Sequence, residues 1–402
     1  MTEKIGELTG EQMLSGVFLD LPHRQPPIFK NAKNVLFSDR SVQPIPGQYI
    51  LTAGTEGLPI RGLLSIREGS TPILFYGDDS KLYRYTISGG TTEVGIGYSN
   101  GGNAWSLQRW GTWVLATNGV DAPQIFKGAS FDALTGISPT FATGKIFLAY
   151  KNYVLVFNTD VNDSRVAWCT ADDPENWVGA LNNTSRLLDI RDTTSGFTAA
   201  LIANERIFNF TLKSMHVMGF VGPPSFFSHN KVTDDIGAFG PNSVTEVAGN
   251  LFGIGPNGVW KSDGSGYTYV DEGAVHDEIF NNLNLDYAYK CVAWHDVFTK
   301  QVVFWIPGVD HTENSYGMAF NYKEGNWAPR GDARSAALES GDFSWGLLGD
   351  PSGNIYAQSL IDSPVSAQDP DLRISGEGFF TLGFGQSGFG NGGFGGMLEL
   401  TE

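Results

Sequence analysis

From Trp105 to Trp345, short runs of β-branched and aromatic residues alternate with turns rich in Gly, Asn and Asp. Leu74–Tyr85, Trp113–Asp121, Leu251–Trp260 and Leu347–Tyr356 each consist of two such runs around a tight turn. Asn-Gly and Ser-Gly supply the positive-φ residues that hairpin turns demand, so each segment predicts a β-hairpin. No window carries an apolar stripe at helical spacing over several turns. Val275–Leu285 is the best candidate for a short helix, and Thr9–Leu14 has room for a turn or two.

The strand groups fall into units near 60–98, 104–135, 145–190, 198–240, 243–285, 290–330 and 335–362. A spacing of about 45 residues with four short strands per unit is that of propeller blades. The pattern predicts an all-β fold, a β-propeller of six or seven four-stranded blades. A sandwich joined to a barrel is the competing all-β arrangement. Gln48–Ile66 offers a further strand that would complete the last blade and lock the ring.

The chain thus divides into an extended, proline-punctuated strap over 1–47, a propeller over 48–365 and a Gly/Phe-rich segment over 366–402. Around Phe379–Gly396 that last segment places an aromatic at every few glycines, a low-complexity pattern with too little apolar surface to order by itself. Phe380, Phe384, Phe389 and Phe394 are candidate anchors for docking on a partner subunit.

Composition narrows the picture. Fifty-one glycines and 13% aromatics, with 17% charged residues among 402, suit a turn-dense β protein. The net charge of −17 disfavours a surface that grips nucleic acid, which would be basic. Met1–Glu7 lacks a basic start followed by an apolar run, and no stretch is long and apolar enough for a membrane helix. The reading is a protein made in the cytosol without a membrane anchor. Cys169 and Cys291 lie far apart beside tryptophans and read as buried free thiols.

Candidate chemistry is sparse. His23, His216, His229, His276, His295 and His311 are scattered, with no zinc-like spacing, so no metal ligand is assigned. His276-Asp277-Glu278 and His295-Asp296 could serve acid–base chemistry, but solvated turns and strand ends explain them as well. Asp160–Ser164 loosely matches a calcium loop yet lacks its Gly and its bidentate Glu. Ser262–Tyr269 approximates the Asp-box that staples hairpins in sialidase propellers, a structural device. No nucleophile elbow, phosphate loop or dinucleotide fingerprint occurs in the right context, so no catalytic residue and no cofactor is assigned. Trp110, Trp113, Trp168, Trp177, Trp294, Trp305 and Trp327 read as packing between blades.

Particular phrases carry a resemblance. Asn31–Phe37 followed by Pro44–Gly47, then Gln108–Gln124, Arg165–Trp177, Asp235–Val244 leading into Leu251–Trp260, and Phe320–Trp327 are similar, in this order, to short-tailed bacteriophage tail nozzle, or packaged-DNA stabilisation, propeller proteins. This chain is shorter than many of them and shows no clear second domain after the propeller. The resemblance implies a non-enzymatic virion tail component, made in the host bacterial cytoplasm. It implies a homo-oligomer, usually a hexameric ring, at the distal end of the tail. Its partners would be portal or adaptor tail proteins and a tail fibre, spike or plug protein. The ring would retain packaged DNA and pass it on ejection without specific binding. Two other functions fit a propeller: a glycosidase or sialidase-like enzyme, and a glycan- or protein-binding module.

Overall fold

A computed structural model describes residues 31–358, apart from 39–40, 54–55 and 194, together with 373–375. The anchors Phe380, Phe384, Phe389 and Phe394 and the segment Thr9–Leu14 lie outside the described residues.

The fold is a β-propeller of seven four-stranded antiparallel blades. Blades 1 to 6 span residues 62–96, 106–133, 144–189, 199–233, 244–269 and 292–330, each in simple up-and-down order. Blade 7 takes three strands from 336–358, and its fourth is Gln48–Ala53 from near the other end of the chain, paired with Asn354–Gln358. The first strand of each blade neighbours the first strands of the blades on either side, so these innermost strands surround an axial channel. The predicted units coincide with the blades, and six blades or a sandwich plus barrel do not form. The predicted closing strand is confined to Gln48–Ala53, because Gly62–Glu68 opens blade 1.

Among the described residues, each gap between adjacent blades holds its own hydrophobic cluster. This explains the continuous apolar runs of the second strands. In Gln301–Pro307, Val302, Phe304 and Ile306 face blade 5 while Val303 and Trp305 face blade 7. A strand covered on both faces has no polar side, so apolar and polar residues need not alternate. Large aromatics fill the wedge-shaped gaps. Trp105 joins blades 1 and 2, donating Nε1–H to the Asp78 carbonyl at 2.8 Å. Trp327, between blades 5 and 6, donates to the Val270 carbonyl at 2.9 Å.

Turns between second and third strands repeat one device. Asp78, Asn118 and Asp350 each fold a side-chain oxygen back onto two backbone N–H groups of their own turn. Such Asx turns need no distant partner, so these turns can form locally. Gly119 follows Asn118 with φ +84°, where a Cβ would be strained. Ser262 and Asp263 staple their hairpin in the same way, as expected of an Asp-box-like segment.

The predicted helix is present as one short piece, His276–Asn282, followed by a 3₁₀ segment, Leu285–Lys290. The strap segment is a hairpin, Val35–Ser38 with Ser41–Pro44, seated on blade 6. Asn34 N–H donates to the Pro329 carbonyl at 2.9 Å and Gly331 N–H donates to Asn34 Oδ1 at 2.7 Å. Asn31–Lys33 pairs with Arg373–Ser375, so segments from near both chain ends meet beside blade 6. Cys169 and Cys291 are free and buried.

Candidate functional site at the two mouths of the channel

The channel lining follows from the inner strands. Partly buried positions on these strands include Leu63, Ser65, Gln108, Ala149, Ala200 and Ala293, which are small or neutral. Charge gathers instead at the two ends.

At one mouth lie the links between blades and the turns joining second to third strands. Arg61, 4% exposed, enters from the link before blade 1. Its Nη1 and Nη2 both donate to the Glu313 carboxylate at 2.7 Å, and its Nε donates to Asp79 Oδ1 at 2.7 Å. Lys290 joins from the link before blade 6, donating to Glu313 and, at 2.8 Å, to the Thr312 carbonyl. Blade 1 is thereby tied to blade 6 past blade 7. Burial opposes charge on both partners, but the pairing outweighs it. The Arg61 pKa stays above its ordinary value, and Arg61 and Lys290 hold Glu313 below the usual carboxylate range.

The opposite mouth carries the turns joining first to second and third to fourth strands. Here Glu339 of blade 7 accepts from Thr245 Oγ1 of blade 5 at 3.4 Å and lies 3.5 Å from His295 Nδ1 of blade 6. His295 Nε2 meets the Tyr322 hydroxyl at 3.2 Å. Thr245 and Glu339 are two blades apart, so their contact crosses the channel in front of blade 6.

A third polar group locks the ring. Asp332, 11% exposed at the side chain, sits between Arg330 and Arg334. Gln48 of the closing strand donates to Asp332 at 3.3 Å and accepts from Arg334. Burial pushes Asp332 up, yet Arg330 and Arg334 more than compensate and hold it far below the ordinary range. Gln358, register partner of Gln48, donates to Asp296 Oδ2 at 2.8 Å.

The residues singled out in the sequence are placed differently from their neighbours in the chain. His276 pairs with buried Asp271 at 2.8 Å rather than with Asp277 or Glu278. His295 turns to Glu339 and Tyr322, while Asp296 caps its own turn through Phe298 N–H and Thr299 N–H. Asp160 receives the N–H groups of Ala142 and Thr143 at 2.8 and 3.0 Å, so it braces a loop. The tryptophans pack between strands and blades, with Trp177, Trp305 and Trp327 at 2% exposure or less. Sequence reasoning missed the Arg61–Glu313 strut because its partners are remote in the chain, and the Asp332 lock because only ring closure brings Gln48 to the neighbouring Arg330, Asp332 and Arg334.

No protein-family model matches the chain, and no curated protein matches it. Solved structures do. Virginiamycin B lyase from Staphylococcus aureus aligns with a TM-score of 0.54 at 10% identity, over 78% of this chain and 99% of that one. A streptogramin B lyase structure gives 0.53 at 11%, over 78% and 97%. The virginiamycin B lyase with quinupristin gives 0.53 at 10%, over 78% and 99%. At such identity the likeness is one of fold alone: this chain folds as these propellers do.

Proposed function

We propose that this chain is a non-enzymatic structural subunit of a bacteriophage tail, a nozzle or hub ring through which packaged DNA is retained and then released. The observation that carries the reading is where its buried charge goes. Arg61 and Glu313 are engaged across blades at one mouth together with Lys290, and Arg330, Asp332 and Arg334 pair within one link and hold Gln48 of the closing strand. They stiffen a wall; they do not converge on a substrate-sized space.

The phrases similar to tail nozzle proteins fall on the hairpin seated on blade 6, on blades 2, 3, 5 and 6, and on the link between blades 4 and 5. Seven first strands, each against the next, ring the propeller's own axis too tightly to admit a duplex. The DNA conduit of this proposal is therefore the axis of an assembled ring, with whole propellers as staves. A head-to-tail interface that closes on itself gives such a ring, a hexamer by the same resemblance. An excess of 17 negative charges keeps phosphates from adhering to its wall.

Electron microscopy of the purified chain, with immunolabelling of virions, tests this. Rings of six subunits and label at the distal tail are expected. A strict monomer at high concentration with unlabelled tails would count against the proposal. So would hydrolysis of a host-surface glycan by the pure protein, which would favour the enzyme reading.

A further inference from the structure

Blade 4 holds a cluster that the wall has no use for. His216 lies on its third strand, Met215–Gly222, and His229 on its fourth, Phe226–Thr233. In the register, Met218 faces His229 and His216 faces Lys231, so the histidines are diagonal neighbours on one face of the sheet. Their rings stack with centroids 4.9 Å apart. Asp192, exposed in the link from blade 3 to blade 4, approaches the same point. One ring nitrogen of each histidine and a carboxylate oxygen of Asp192 all lie within 4.8 Å of one another.

The polar accounting of this cluster does not close within the protein. His216 is fully buried, and its Nδ1 has no hydrogen-bond partner. His229 Nε2 is likewise buried and unpartnered. Two orphaned ring nitrogens on one face are costly unless something accepts or coordinates them. The remaining contacts suit a ligand role. His216 Nε2 lies 2.7 Å from Ser214 Oγ, which lies 2.7 Å from Thr211 Oγ1. With Nε2–H donating to Ser214, the lone pair is left on Nδ1. Fixing the tautomer through the other ring nitrogen is how metal-binding histidines are usually held. Phe197 presents its edge to both imidazoles and shields them on one side.

We propose that Asp192, His216 and His229 form a binding site for a divalent cation of the zinc class. Two imidazoles and one carboxylate are donors that such borderline ions favour. Bonds of about 2.0–2.1 Å in tetrahedral geometry place donors roughly 3.3 Å apart. Donors already within 4.8 Å of one another need at most a small approach to reach that spacing. The histidines are fixed by strand pairing, so the link carrying Asp192 does the closing. Bound metal would pin that link to the outer strands of blade 4 and leave a fourth position facing solvent.

The test uses the full chain, stripped with EDTA and titrated with zinc chloride by calorimetry, with cobalt(II) absorption as the second readout. One equivalent of zinc and visible cobalt bands of tetrahedral intensity are expected. Asp192→Ala, a change at an exposed position that leaves the core intact, should weaken zinc binding at least tenfold. His229→Gln should do the same if it folds, as judged by circular dichroism. Absence of binding by the wild-type chain at 100-fold excess of zinc would overturn the site. Equal affinity in Asp192→Ala and wild type would place the ion elsewhere and overturn it too.

Discussion

Among single residues, Asp332 has the clearest energetic role. Its carboxylate lies between two arginines whose side chains are 0% and 8% exposed. Removing one member of a buried charge set leaves the others uncompensated, at a cost of about 3 kcal/mol. Asp332→Asn should therefore lower the urea midpoint with little change in slope; an unchanged midpoint would show that the lock contributes nothing. Glu313 gives a dependence on pH. Its carboxyl is held low in the folded state, so its contribution is complete above the ordinary value of about 4.3 and is lost as pH falls toward the folded value. Stability of the wild type should fall on acidification below about pH 5. Glu313→Gln should be less stable at neutral pH and show a shallower fall, measured by thermal unfolding across pH 2–7. None of these partnerships was legible in the chain. Arg61 and Glu313 are joined by the curvature of the whole ring, and His276 sits next to two acidic residues yet pairs with Asp271.

At the scale of elements, the hairpin turns were readable because they are local. Asx oxygens and positive-φ glycines act within a few residues, wherever the hairpin ends up. The closing strand Gln48–Ala53 is different. It is worth a full ladder with Asn354–Gln358, and without it blade 7 would present a bare edge. Deleting residues 1–53 should broaden and lower the thermal transition and promote aggregation. Thr52→Pro, which cannot donate to the ladder, should lower the transition to a smaller extent. If both chains melted like the wild type, closure by this strand would be irrelevant to stability. The helix His276–Asn282 lies inside the window Val275–Leu285 expected from the residue pattern, although its ends were not anticipated. It has no side-chain N-cap, and its place is set by Val275 and Ile279 in the gap between blades 5 and 6.

For the molecule as a whole, the proposed ring would set an acidic wall beside DNA. Repulsion between carboxylates and phosphates predicts that the assembled protein leaves a labelled duplex free at physiological salt. Fluorescence anisotropy should show no change at micromolar protein. Tight binding that weakens steeply as salt is raised would reveal a basic lumen and sink the conduit reading. The likeness to the virginiamycin B and streptogramin B lyase structures does not alter this expectation, because at 10% and 11% identity it extends to the arrangement of strands alone.

The sequence by itself determined the all-β class, the hairpin unit and its approximate period, because these rest on short-range preferences: β-branched runs, turn glycines and Asx caps. It also pointed to a closing strand within Gln48–Ile66, which the structure confines to Gln48–Ala53. Only the tertiary structure decided that the blades number seven, that their first strands close a ring around one axis, and which charges meet. Those outcomes depend on how seven twisted sheets share wedge-shaped gaps and close a circle. Ring closure brings Thr245 to Glu339 and Arg61 to Glu313, and strand register sets His216 beside His229. No local pattern encodes distances that arise only when the circle shuts.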